Sequence, residues 1–201
     1  MDQEQHLVLH GVGIKKHAKP DTIASLLKLD SSHVEEELIS AKSGGMVIEF
    51  EGNYSLTPLG RVSYSSNSGR YFHDFRENRR FVKLYDDFEA INETLKSLIT
   101  DWQVISRAGT QIPNDHSDKE YDNKIIDKIG ELHEHAEKLL GGFESFIPRF
   151  KYYREALLAA LERAEDGAIE WISEVKIDSY HTVWFELHED LLCILGRTRT
   201  E

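Results

Sequence analysis

Residues 24–61 read ASLLKLDSSHVEEELISAKSGGMVIEFEGNYSLTPLGR, and the signals in them decide what the first part of this chain becomes. In the middle, SSHVEEELISAKSGG places Val34, Leu38 and Ala41 at helical spacing. Ser32 and Glu35 stand in the spacing of a capping box, and Gly44–Gly45 end the helix. MVIEFEGNYSLTP then predicts two strands around a Gly52–Asn53 turn. Thr57 before Pro58 marks the start of another helix. Upstream, PDTIASLLKLD predicts a helix with Asp21 placed to cap its first turn, turning at Leu29–Asp30. QEQHLVLHGVGIKKHA predicts a first helix weakened by Gly11 and Gly13.

Three helices, a hairpin and a further helix are the order of a winged helix, expected over residues 1–66. The segment Leu7 to Arg61 resembles the winged helix of multiple-antibiotic-resistance-type regulators, which bears on fold and not on activity. In a DNA-binding winged helix the third helix enters the major groove. Here its outward residues are Ser31, His33, Glu35, Glu36, Ile39 and Ser40, with no arginine to read guanine. The hairpin stretch EFEGNY adds two glutamates. Residues 1–66 hold six Lys and Arg against nine Asp and Glu, a net charge of −3. Nucleic-acid affinity comes largely from cations laid against phosphate. The sign therefore favours protein docking over DNA binding for this unit.

The whole chain repeats that sign. Its 201 residues carry 24 Lys and Arg against 36 Asp and Glu, a net charge of −12. The 40% hydrophobic and 30% charged content is that of an ordinary globular protein. No apolar run approaches the ~18 residues of a membrane span, and MDQEQHLVLHG lacks the pattern of a signal peptide. One cysteine, Cys193, permits no internal disulfide framework, so the expected location is a reducing cytoplasm.

Residues 67–75, NSGRYFHDF, read as a junction, and everything after them as helix. Phe81, Leu84, Phe88, Ile91, Leu95, Leu98 and Trp102 recur at helical spacing. Tyr121, Ile125, Ile129, Leu132, Ala136 and Leu139 do the same in a helix ending at Gly141. A third helix begins at Pro148 and runs through Phe150, Tyr153, Leu157, Ala160 and Ala164. IDSYHTVWFELHEDLLCIL, residues 177–195, is the fourth. The expected fold class is mainly α: a winged helix followed by an α-helical bundle over residues 67–201 that serves as a ligand-binding domain. The polar stretch SRAGTQIPNDHSDKE, 106–120, reads as a long connection carrying Asp115, His116 and Asp118.

On a helical wheel, Tyr180, Trp184, Leu187, Leu191 and Ile194 centre the apolar face of the fourth helix. His181 and His188 fall at its flank beside Phe185 and Leu192. Asp178, Thr182, Glu186, Glu189, Asp190 and Cys193 take the opposite arc. Two readings of the histidines stay open. They are core residues satisfied by hydrogen bonds, or they meet the polar end of a small molecule held by Trp102, Tyr180, Trp184 and Phe185. A neutral imidazole there can take a proton from a hydroxyl, with Asp178, one turn before His181, placed to orient the ring or to cap the helix. The two histidines are about 10 Å apart along the helix, too far to chelate one ion, and no metal site is expected. Phosphate loops, paired-cysteine zinc spacings and nucleophile elbows are absent from the sequence.

DWQ at 101–103, NDHSDKEYD at 114–122 and IDSYHTVWFELHEDLL at 177–192 together resemble a group of bacterial proteins in which a winged helix precedes a helical domain. Such units accompany relatives of phosphoenolpyruvate synthase and pyruvate phosphate dikinase, including phenylphosphate-synthase-type systems that phosphorylate a phenolic hydroxyl. The resemblance implies the acceptor-binding subunit of a dikinase complex. A larger ATP-grasp and phosphohistidine subunit then supplies ATP and Mg, and this chain itself binds no cofactor. It also implies His181 as the base, with His188 or His116 in its place, and Trp102, Tyr180 and Trp184 around the ring. The alternative is a winged-helix transcriptional regulator that binds DNA and senses a small aromatic ligand.

Overall fold

The computed structural model describes residues 1–107 and 109–199, the side chain of Arg107 excepted. The chain is 73% helix and 8% strand, a mainly α protein. In chain order its elements are α1 (Gln3–Lys15), α2 (Pro20–Leu27), α3 (Ser31–Ser43), β1 (Val47–Phe50), β2 (Asn53–Leu56), α4 (Pro58–Tyr71) and α5 (His73–Glu77). There follow α6 (Arg79–Gln103), β3 (Val104–Arg107), β4 (Thr110–Pro113), α7 (Lys119–Phe146), α8 (Lys151–Glu165) and α9 (Tyr180–Leu195), with 3₁₀ turns at Pro148–Phe150 and Ile169–Trp171. Two compact units form, one of Met1–Val82 with Glu186–Glu201, the other of Lys83–Phe185. Among the described residues no helix is long and apolar enough to cross a membrane.

In the first unit, Asp2 caps α1 by accepting from the Gln5 amide. Gly11 and Gly13 do not interrupt this helix, which runs unbroken to Lys15. A β-carbon on Gly11 would sit 3.0 Å from Ile23 and Leu27, so the residue expected to weaken α1 is what lets α2 pack against it. The cap of α3 is Asp30, whose carboxylate accepts from the amides of Ser32 and His33. The Ser32–Glu35 box is displaced because an aspartate two residues earlier already satisfies those donors. Likewise the residue before α2 is Lys19, without a side-chain cap, and Asp21 instead accepts from the Ser31 hydroxyl. Val34, Leu38 and Ala41 are the buried stripe of α3.

The β1–β2 turn is Glu51–Gly52, both with positive φ, while Asn53 pairs with Phe50 as the first residue of β2. Two left-handed residues match the twist of a two-residue hairpin. Thr57 caps α4 through the Gly60 amide. The stretch expected as a junction, 67–75, is mostly helix, divided at Phe72 between the end of α4 and the start of α5.

The second unit holds most of α6 with α7, α8 and the start of α9. Phe88, Leu95, Trp102, Ile129, Phe143, Tyr153 and Leu157 are all buried in its core. Here α7 passes through Gly141–Gly142 and ends at Phe146. Gly142 is needed inside the helix, since a β-carbon there would lie 2.9 Å from Leu84 of α6. Arg154 of α8 pairs with Glu137 and Glu144 of α7. The stretch expected as a long connection begins with a second hairpin, β3 paired antiparallel with β4.

Candidate functional site

Asn114 follows β4 and organises what comes after it. Its amide N–H donates to the Gln103 carbonyl at 2.8 Å, tying the hairpin's exit back to the end of α6. Its side-chain Oδ1 accepts from the His116 amide at 3.1 Å. Its Nδ2 donates to the Trp102 carbonyl at 3.0 Å and to Asp122 Oδ1 at 2.9 Å. These bonds hold His116 at φ 56°, in the left-handed region that a non-glycine residue rarely enters.

The imidazole of His116 is thereby placed against two neighbours. It stacks on Trp102 with ring centroids 4.5 Å apart. Its Nδ1 lies 3.0 Å from Oδ2 of Asp122, a carboxylate in the first turn of α7 that is only 3% exposed. Asn114 Nδ2 also lies 3.2 Å from Nδ1, but both of its hydrogens are engaged by Trp102 and Asp122. Nδ1–H is therefore the donor and Asp122 the acceptor, which leaves Nε2 as the lone-pair nitrogen. A buried carboxylate on one nitrogen fixes the tautomer and orientation of the ring, as in a His–Asp pair whose other nitrogen serves as a base.

His116 and Trp102 line a cavity of about 370 Å³ together with Ile169, Glu170, Ser173 and Glu174. The latter four come from the segment between α8 and α9. That segment is anchored by buried Ile172, whose carbonyl accepts from the His181 amide at 3.0 Å, and by Arg163, which lies 3.9 Å over the Trp171 ring. Such a volume suits a single-ring ligand.

The residues of the last helix are placed differently. Tyr180 and Trp184 are buried in the core of the second unit. Trp184 stacks on Phe88 at 5.0 Å and on Tyr180 at 6.1 Å, and its indole N–H donates to Asn92 at 3.0 Å. The Tyr180 hydroxyl meets Nδ1 of His133 at 3.2 Å; burial lowers the imidazole's basicity and raises the phenol's pKa. These rings are packed and their polar atoms used. His181 is half-buried and His188 buried. Phe185, expected beside them, is 43% exposed. Asp178 is exposed, and the start of α9 is capped by buried Ser179, whose hydroxyl oxygen accepts from the Thr182 amide.

Comparison of the chain with family models, curated proteins and solved structures finds no match in any of the three.

The opposite arc of α9 corrects a second expectation. Glu186 and Asp190 are buried, not solvated. In the first unit Glu186 lies 2.7 Å from the ammonium of Lys15, and Asp190 lies 2.7 Å from Nε2 of His10. Nδ1 of His10 lies 2.7 Å from the Tyr64 hydroxyl, which burial keeps protonated. An ionised Asp190 takes Nε2–H, so Tyr64 donates to Nδ1. Cys193, near this chain of polar groups, has its thiol pushed up to about 11 by burial. The wheel placed these residues outside because it weighed only apolar neighbours, and α1 supplies polar ones. Among the described residues no group of three or more metal-ligating side chains is gathered.

Sequence reasoning singled out Trp102 and His116 and missed Asn114, Asp122, Glu170, Ser173 and Glu174. A signal for the first two was present: NDHSDKEYD contains Asn114, His116 and Asp122 within nine residues.

Proposed function

We propose that this chain binds a small aromatic hydroxyl compound in the cavity beside Trp102 and presents its hydroxyl to a phosphoryl donor on a larger partner. The observation that carries this reading is the His116–Asp122 pair at the cavity wall, with the outer ring nitrogen left to accept a proton. In this role His116 replaces His181 as the base. The acceptor's O–H proton passes to His116 Nε2 as its oxygen forms the new bond to phosphorus. The bond between phosphorus and the partner's phosphohistidine nitrogen breaks, and that imidazole leaves. Such transfer depends mainly on positioning and charge neutralisation, so ATP and Mg belong to the partner, an ATP-grasp and phosphohistidine subunit of the kind the resemblance implies. The place of such a complex is the cytoplasm.

The order α1–α2–α3–β1–β2–α4 supports reading residues 1–66 as a winged helix that docks on that partner. Glu35 and Glu36 of α3 are exposed, and Ile39 of α3 with Ile48 and Phe50 of β1 are exposed at 55%, 59% and 66%. Acidic and apolar groups of this kind suit a protein surface and oppose phosphate.

Calorimetric titration with p-cresol tests the ligand reading. Saturable binding that weakens at least tenfold in Trp102→Ala supports it, and an absence of heat up to millimolar ligand overturns it. A gel shift with the DNA upstream of the gene tests the regulator alternative. A tight complex whose affinity falls steeply with salt would establish that alternative over docking.

A further inference from the structure

Resting on the ligand reading above, we infer that the compound bound beside His116 carries a positive charge as well as a hydroxyl: the cavity is built for a phenol bearing an ammonium group. The walls supply two different kinds of polar contact. On one side stand the Trp102 ring and His116, whose outward nitrogen meets a hydroxyl. The other side is the anchored turn between α8 and α9, which contributes Glu170, Ser173 and Glu174.

The Glu174 amide donates to the Glu170 carbonyl at 2.9 Å, one helical turn that brings residues 170 and 174 to the same side. Ile172 between them is fully buried, so this turn is fixed in place and not a loose loop. Arg163, the nearby cation, is spent on the Trp171 ring at 3.9 Å, and no lysine or arginine is among the described lining residues. Among the described residues, Glu174 Oε1 accepts from the Lys176 amide at 3.1 Å.

Two exposed carboxylates on one wall, with no lysine or arginine among the described lining residues, repel a ligand carboxylate and attract an ammonium. A single ring with a two-carbon ammonium arm fits a cavity of about 370 Å³ that His116 and this wall both line. The same charge arrangement excludes hydroxybenzoates and hydroxyphenyl acids, which have the ring and hydroxyl but the wrong sign.

The test compares three probes that share a phenol ring: tyramine, p-cresol and 4-hydroxyphenylacetate, titrated calorimetrically into the full chain. Tyramine is expected to bind at least tenfold tighter than p-cresol, and 4-hydroxyphenylacetate weaker than either. In the Glu170→Gln/Glu174→Gln double variant the tyramine-to-p-cresol ratio is expected to collapse to within about threefold, and 0.5 M NaCl, with a Debye length of about 4 Å, is expected to shrink it in the unaltered chain. If p-cresol binds as tightly as tyramine, or the tyramine advantage survives the double variant, the charge inference is overturned while the ligand reading stands. If Mg²⁺ alone displaces tyramine competitively at this wall, the carboxylates serve a metal and the inference is likewise overturned. If none of the three phenols binds, both fall together.

Discussion

Asp190 Oδ1 lies 2.7 Å from Nε2 of His10, and neither side chain retains any exposure to water. The pair joins α9 to α1 in the first unit and continues to the Tyr64 hydroxyl. Removing His10 strands the buried Asp190 carboxylate, which costs about 3–5 kcal/mol, and removing Asp190 strands the neutral ring's Nε2–H, which costs about 1–3 kcal/mol. Asp190→Leu and His10→Leu should each lower the urea midpoint by a corresponding amount. The double variant should lose about 1–3 kcal/mol less than their sum, because removing both also removes the stranded group. Strict additivity in the unfolding curves would show that the contact contributes no coupling.

Gly60 stands where α4 begins, directly against the backbone of β1's entry. A β-carbon built on it would lie 1.9 Å from the Met46 carbonyl oxygen, a group that also accepts from the Thr57 amide and hydroxyl. Unlike Gly11, whose neighbours are side-chain ends, this glycine faces backbone that cannot step aside. Gly60→Ala should therefore destabilise the first unit by at least the upper end of the ~1–3 kcal/mol typical of overpacking, read as a fall in melting temperature. An unchanged melting temperature would mean the α4 start moves freely away from Met46.

His6 gives the first unit a pH dependence with a definite sign. Burial first, and His10 second, push its pKa down from 6.5 to about 4. Ser68 donates its hydroxyl hydrogen to the Tyr64 carbonyl, so at 3.3 Å it accepts from His6 Nε2–H and the ring stays neutral in the fold. Below 6.5 the unfolded chain takes up a proton that the folded chain refuses until about pH 4. Stability is thus fully present above 6.5 and lost as pH falls through that window, by on the order of 3 kcal/mol. His6→Gln should flatten the slope between pH 4.5 and 6.5 in urea unfolding; an equal slope in both proteins would assign it to other groups.

The helices were legible because their apolar spacing is local: Val34, Leu38 and Ala41, or Phe81, Phe88 and Leu95, bury on the face the period demands. What was hidden depended on partners distant in sequence. Asp190 and Glu186 look solvated on a wheel until His10 and Lys15 are brought to them from 180 and 171 residues away. Gly11 reads as a weak point, and Gly141 as a helix end, because a lone sequence does not display the neighbouring helices that need the space at Gly11 and Gly142. The β3–β4 hairpin is hard to read because Val104–Pro113 holds few apolar residues in alternation, and none of its described side chains is buried. Of the candidate site, Trp102 and His116 are legible as an aromatic and a titratable group near a loop. Glu170 and Glu174 carry no motif and became visible only when their turn was placed beside them.

The tautomer of His116 is the most direct consequence of the site's hydrogen bonds. Asn114 Nδ2 spends both hydrogens on Trp102 and Asp122, so Nδ1 must carry the imidazole proton and give it to Asp122 Oδ2 at 3.0 Å. Neutral histidine otherwise divides between two tautomers, and the bond made by one ring nitrogen sets the state of the other. In the unaltered protein, nitrogen shifts of His116 at neutral ring charge should show Nδ1 protonated and Nε2 bare. Asp122→Asn replaces the carboxylate with an amide whose nitrogen donates, which removes the demand for Nδ1–H and should move the population toward Nε2–H. That variant should bind p-cresol within a few-fold of the parent yet lose about 10²–10⁴ in turnover with the phosphoryl-donating partner, the range of a general base. Asn114→Ala should shift the same resonances for a different reason, by releasing His116 from φ 56° and leaving the Asp122 carboxylate without one of its donors, at a cost of about 1–3 kcal/mol in stability. If His116 shows Nε2–H in the unaltered protein, its outward nitrogen is a donor, and the role of base passes to another group.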